Sequence, residues 1–167
     1  DGGTLIGACR RSNNHSFLQW DDDIDIAVRS SDAERIKQIL RDKLGETYEI
    51  QDYYNEAYYS PRLATFRVRQ KNTVSQVCEK DSELYELYAS RGLFIDVYAY
   101  CPILLCRWVD AIYRHCRIHP LNKRIRKVET EWKIGQTPDK ALLKFNRLKR
   151  SYVKRVEWYL KHAKNEK

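Results

Sequence analysis

Strand patterns mixed with helical ones over the first hundred residues, then helical patterns alone, predict an α+β domain. Three observations carry this: the alternation D-I-D-I-A-V at residues 23–28, the apolar run L-F-I-D-V-Y-A-Y at 93–100, and helical spacing from Pro138 onward. The 167 residues suffice for one sizeable hydrophobic core and argue against two.

Taken in order, the chain opens with Gly2, Gly3, Thr4 and Gly7, followed by Arg10, Arg11 and a polar loop through Ser16. In the segment from Phe17 to Val28, Ile24, Ile26 and Val28 alternate with Asp23, Asp25 and Ala27. Period two predicts a strand with one buried and one polar face. Ser31-Asp32-Ala33-Glu34 offers a capped helix start, and Ile36, Ile39, Leu40 and Leu44 give that helix its apolar stripe up to Gly45. Tyr48 to Ile50 and Leu63 to Val68 read as the next strands, the second placing Thr65, Arg67 and Arg69 on one side. Leu93 to Tyr100 reads as a fourth, nearly all apolar except Asp96. Ile103 to Arg117 and Pro138 to Lys164 then read as helices, the second on Leu142, Phe145, Leu148, Tyr152, Val156, Tyr159 and Leu160.

Composition narrows the class. With 43% hydrophobic residues the chain is too apolar for disorder despite 32% charge. The longest apolar stretch, Leu93 to Val109, is broken by Asp96, Pro102 and Arg107, which excludes a membrane span there. The net charge of +8 is uneven: residues 121–167 hold 15 Lys+Arg and 5 Asp+Glu, while the preceding 120 hold 16 and 18. A basic tail behind a faintly acidic front points to an anionic partner: nucleic acid, anionic lipid or a phosphorylated substrate. Five cysteines without a C-x-x-C pair exclude a complete disulfide framework and favour a reducing compartment. Cys101, Cys106, Cys116 and His119 are a conceivable zinc set, but paired knuckles are missing. The chain starts at Asp1 and has no Met, which reads as a portion of a longer protein.

The chemistry concentrates in Asp21, Asp22, Asp23 and Asp25. On an extended strand Asp21, Asp23 and Asp25 share one side, and carboxylates so crowded repel unless a cation lies between them. A hard divalent ion such as Mg²⁺ takes such oxygen ligands and keeps positions for water or phosphate. An inert acidic turn is the competing reading, and it leaves the alternation with isoleucine unexplained. Asp96, between Ile95 and Val97, is costly to bury alone. It reads either as a salt-bridged core residue or as a third carboxylate facing the Asp23/Asp25 pair from a neighbouring strand.

The segments G-G-T-L-I-G-A-C-R (2–10), F-L-Q-W-D-D-D-I-D-I (17–26) and L-F-I-D-V (93–97) resemble, in this order, the LicD/fukutin family of nucleotidyltransferase-fold phosphotransferases, as LicD-type phosphorylcholine transferases are. Its hallmark is G-T-L-L-G-a-x-R followed by I-P-W-D-D-D-I-D. Gln19 stands here for the family's proline, and Cys101 stands where an acidic residue is common. The resemblance implies a nucleotidyltransferase-like mixed sheet flanked by helices, with a helical C-terminal portion. It implies that Asp23 and Asp25 bind Mg²⁺ or Mn²⁺ and, with Asp96, form the catalytic set. It assigns Gly3, Thr4, Arg10, Arg67 and Arg69 to the donor's phosphates.

The activity implied is transfer of a phosphoalcohol, foremost phosphocholine, from a CDP-linked donor to a sugar hydroxyl of a glycan or glycolipid, as in lipopolysaccharide or teichoic acid biosynthesis. Two alternatives stand beside it: transfer of a nucleotide from an NTP, and a catalytically inactive module binding nucleic acid or a membrane surface. The organisation expected is a catalytic core over 1–120, lacking the family's first strand and helix, and a basic helical tail over 121–167 packed on it. The expected partners are a CDP-linked alcohol, a glycan or glycolipid acceptor and an anionic membrane surface, rather than nucleic acid. The expected setting is the cytoplasm at the inner membrane surface, or the Golgi lumen of a eukaryote. Trp20, Tyr53, Tyr54, Tyr58 and Tyr59 are available as aromatic faces for a quaternary ammonium.

Overall fold

The α+β expectation is met by a computed structural model that describes residues 24–62, 64–75, 88–132 and 138–163. Four strands, β1 (Asp25–Arg29), β2 (Tyr48–Asp52), β3 (Phe66–Gln70) and β4 (Phe94–Tyr100), form one sheet in the order β1-β4-β3-β2. β1 runs parallel to β4, and β4–β3 and β3–β2 are antiparallel, so the sheet is mixed. The helix α1 (Ala33–Leu44) follows β1. It ends at Gly45, whose φ of +62° lies in the left-handed region where a side chain is unwelcome. Leu63 to Val68 was the expected third strand; pairing starts at Phe66 instead. There the Thr65 hydroxyl accepts from the Ala99 amide at 2.8 Å and takes the place of a ladder bond.

Among the described residues, 24–52, 64–75 and 90–100 form one compact unit. Its core is Ile50, Phe66 and Val97, with Val28, Val68, Ile36 and Leu40 packed on them. The apolar stripe of α1 thus covers one face of the sheet. The expectation that Ile24, Ile26 and Val28 form a buried face holds for Val28 alone. Ile24 and Ile26 are 38% and 43% exposed, because β1 is the sheet's edge strand and the α1 side chains meet the inner strands.

Described residues 53–62, 88–89, 101–132 and 138–163 form a second compact unit. It contains α2 (Arg107–Tyr113), a π-helical turn (Arg114–Ile118), α3 (His119–Trp132) and α4 (Pro138–His162). The first three run on without a break, where the sequence pattern predicts a helix over Ile103 to Arg117. Pro120 does not interrupt them: it lies in the first turn of α3, just after the widened π turn, where a missing N–H is tolerated. α3 and α4 pack through Ile125, Val128 and Phe145, with Leu148 and Tyr152 against them. No described helix is long and apolar enough to cross a membrane.

Candidate active site

The face of the sheet away from α1 is polar, and the register explains how. Residues paired directly across strands share a face. Asp25 of β1 pairs with Asp96 of β4, Asp96 with Arg67 of β3, and Arg67 with Gln51 of β2. One row of side chains therefore crosses all four strands as Asp25, Asp96, Arg67, Gln51. A second row beside it reads Phe94, Arg69, Glu49. The alternation that sends Val28, Val97, Phe66 and Ile50 to the core is what sends these residues to the other side.

Within the first row Arg67 forks onto Asp96, Nε donating to Oδ1 at 2.5 Å and Nη2 to Oδ2 at 3.1 Å. Such bidentate pairing fixes a carboxylate's rotation as well as offsetting its charge. The guanidinium also lies over the Phe94 ring, 4.2 Å from its centroid. The row holds two carboxylates and one cation. Arg69 is fully buried. Its Nε donates to Gln51 Oε1 at 2.5 Å, its Nη1 to the Gly92 carbonyl at 2.6 Å, and its guanidinium sits 4.7 Å from the same ring. Gly92 is required at that point: a Cβ there would lie 1.8 Å from the Gln70 carbonyl oxygen. The Thr73 hydroxyl completes the junction, accepting from the Leu93 amide at 3.0 Å and donating to the Gln70 carbonyl at 2.9 Å.

Of the residues singled out in the sequence, Asp25, Asp96, Arg67 and Arg69 are thus brought to one face of one sheet. Asp96 is ion-paired with Arg67, as the first reading offered for it has it, and it pairs in register with Asp25 of the neighbouring strand. Arg69 is enclosed rather than presented to a ligand. Asp23, Gly3, Thr4 and Arg10 lie outside the described residues, as does Trp20. Gln51, Phe94 and Gly92 were not singled out. Extending the alternation of Tyr48 to Ile50 by one residue would have placed Gln51 on the polar face.

Donor chemistry favours a hard divalent cation, because Asp25 and Asp96 offer carboxylate oxygens side by side. Among the described residues no group of three candidate ligands surrounds a single point. Cys101, Cys106 and Cys116 are free thiols.

The aromatic residues belong to the helical unit. Tyr59 and Tyr88 are core, with Tyr53 and Tyr58 against them, whereas Tyr54 is exposed and donates to Glu157 at 2.7 Å. Burial and this carboxylate push the Tyr54 hydroxyl well above its usual range. Tyr54 and Glu157 border a cavity of about 460 Å³ that Lys149, Arg150 and Lys154 also line.

The mixed sheet thus brings Asp25, Asp96 and Arg67, all from the segments singled out in the sequence, to one face. The model of the LicD/FKTN/FKRP nucleotidyltransferase domain matches residues 1–125, and the chain belongs to that family. Membership makes it transferase-like, of the phosphotransferase type that modifies glycans. No curated protein and no solved structure matches the chain.

Proposed function

We propose that the protein transfers a phosphoalcohol, most simply phosphocholine, from a CDP-linked donor to a sugar hydroxyl of a glycan or glycolipid. The observation that supports this most is the parallel register that sets Asp25 beside Asp96. Two strands carrying carboxylates at adjacent positions, one of them oriented by Arg67, are suited to an acceptor hydroxyl and a diphosphate meeting over one face. In the reaction the hydroxyl oxygen bonds to the phosphorus that carries the alcohol, the bond from that phosphorus to the CMP oxygen breaks, and the hydroxyl proton passes to a carboxylate. Asp96 is the base in this reading, and Arg67 is a positioning residue that holds it in one rotamer. Asp25, with Asp23, would hold Mg²⁺ or Mn²⁺, which would supply charge neutralisation for the diphosphate. Gly3, Thr4 and Arg10 would approach the donor phosphates, and Arg69 acts through Gln51 and Phe94.

The test is a donor screen of CDP-choline, CDP-ribitol and CDP-glycerol with Mg²⁺, read by CMP release in the presence of a glycan acceptor. Release that disappears in Asp23→Ala and Asp25→Asn is the expected result. Incorporation of a nucleotide from an NTP into the acceptor would replace this reading with nucleotidyl transfer. Salt-dependent nucleic-acid binding that Asp25→Asn leaves intact, with no CMP release from any donor, would replace it with an inactive module.

A further inference from the structure

The helical unit carries an apolar face that its own core does not use. Trp108 is 80% exposed, Ile112 58% and Val109 40%, three residues on one side of α2, and Leu105 in the turn before it is 75% exposed. Leu105, Trp108 and Ile112 are among the most exposed large apolar side chains of the described residues, and Val109 shares the helix side of Trp108 and Ile112. Their presentation is built. The Leu104 side chain is buried while its amide donates to Asp110 Oδ1 at 3.2 Å, and Leu105 then takes a φ of +44°. A left-handed backbone at a leucine costs about 1–2 kcal/mol, and here it turns the side chain outward.

Asp110 anchors this turn from within. It accepts from Tyr159 and pairs with Arg114 Nε at 2.7 Å. Burial works against its charge, yet the Tyr159 hydroxyl, the Leu104 amide and Arg114 together hold its carboxyl below the usual range. Tyr159 is correspondingly pushed up to about 12, through burial first and the Asp110 carboxylate second. The α2 turn is therefore fixed on the helical unit by a charged, buried anchor, and its apolar residues face away from it.

The charge around the patch identifies its partner. Between residues 101 and 126 the chain has six Lys+Arg, namely Arg107, Arg114, Arg117, Lys123, Arg124 and Arg126, and Asp110 alone among acids. Arg107, next to Trp108 in the sequence of α2, and Arg117, in the π turn that follows, are both exposed. A second copy of this chain would bring the same cations against them and be repelled. An anionic bilayer meets both features at once: acyl chains accept leucine, isoleucine and the indole ring, and lipid phosphates accept the guanidinium groups. We propose that Leu105, Trp108, Val109 and Ile112, flanked by Arg107 and Arg117, form the surface by which this protein lies on an anionic membrane. The contact is peripheral, one helix turn deep, and independent of the reaction proposed above.

Flotation of the protein with vesicles tests it, using phosphatidylcholine alone and an equimolar mixture with phosphatidylglycerol. Binding to the anionic vesicles, weak binding to the neutral ones, and a loss of about tenfold or more in Trp108→Ser/Ile112→Ser are expected. Arg107→Gln/Arg117→Gln should flatten the difference between the two vesicle types. Both residues of the first variant are exposed, so its thermal melt should match the parent. Should it fail to fold, quenching of parent fluorescence by bromine-labelled acyl chains, lost in Trp108→Phe, gives the same answer. Absence of flotation, equal flotation of the serine variant, or quenching unchanged in Trp108→Phe would overturn the proposal. So would a dimer in sedimentation that Trp108→Ser dissolves, which assigns the patch to self-association. Release from vesicles by inorganic phosphate at matched ionic strength would assign it to a phosphate pocket instead.

Discussion

Each face of the sheet holds an ion pair, and the two pairs differ in what surrounds them. Under α1, Lys37 Nζ lies 2.9 Å from Asp52 Oδ2, with side chains 1% and 2% exposed, and Glu34 gives the same ammonium a second carboxylate at 2.7 Å. Apolar cover is supplied by Phe66, whose ring centroid is 5.5 Å from the ammonium. On the open face Arg67 and Asp96 are 10% and 12% exposed, and the next side chain in the row is another carboxylate, Asp25. The covered pair has an excess of acceptors gathered on one cation, an arrangement that fastens a helix to a sheet. The second pair sets its cation in a row beside two carboxylates and is less deeply buried than the first. The same residue chemistry is sealed on one side and nearer to solvent on the other because α1 covers the first.

Asp96→Asn should break this contrast where its effect is largest. It keeps the shape and one of the two hydrogen bonds from Arg67, so the fold should survive, while CMP release falls roughly a hundredfold to ten-thousandfold. Normal turnover with an unaltered melt would remove Asp96 from the chemistry. Lys37→Met has the opposite signature, costing about 3–5 kcal/mol because Asp52 loses a buried ammonium partner. In the double variant Lys37→Met/Asp52→Leu most of that loss should return. Urea titration measures both. Arg67→Met should cost less, since solvent reaches Asp96, and equal losses for Lys37→Met and Arg67→Met would show that the roof makes no difference.

The contrast was only half legible in the sequence. Alternation of acid and isoleucine in β1 and the isolated Asp96 revealed the open face, because a carboxylate repeated at period two has no place in a core. The Lys37–Asp52 pair gave no such signal. Lys37 sits in an ordinary amphipathic helix, and 15 residues separate it from its partner, so the pair exists only once α1 folds back on β2. Gly92 was hidden for a related reason: its need arises from the Gln70 carbonyl on another strand. The sequence pattern ends a helix at Arg117, whereas the π turn at Arg114–Ile118 carries it on into α3, with Pro120 tolerated in the first turn after it.

Gly92→Ala tests the support beneath the open row. The added methyl must displace the Gln70 carbonyl, and with it the Gly92 carbonyl that Arg69 uses. We expect a loss of about 1–3 kcal/mol, the range for overpacking, and reduced turnover, since Arg69 and Arg67 share Phe94. A stability loss without any change in turnover would detach Arg69 from the site.

The smallest effect sharpens the roofed side through pH. Burial alone would lower the Lys37 pKa, but hydrogen bonds to Glu34 and Asp52 outweigh it and raise the group above its ordinary 10.5. A lysine raised on folding contributes stability that is fully present below the unfolded-state pKa and fades as pH climbs through the folded-state value. The lysine's contribution is therefore present at neutral pH and fades in alkali above 10.5. Melting temperature should decline there in the parent and decline less in Lys37→Met/Asp52→Leu, which has no ammonium to lose. Parallel declines in both would mean that the alkaline loss comes from other groups, and that the roofed pair is held by its packing rather than by its charge.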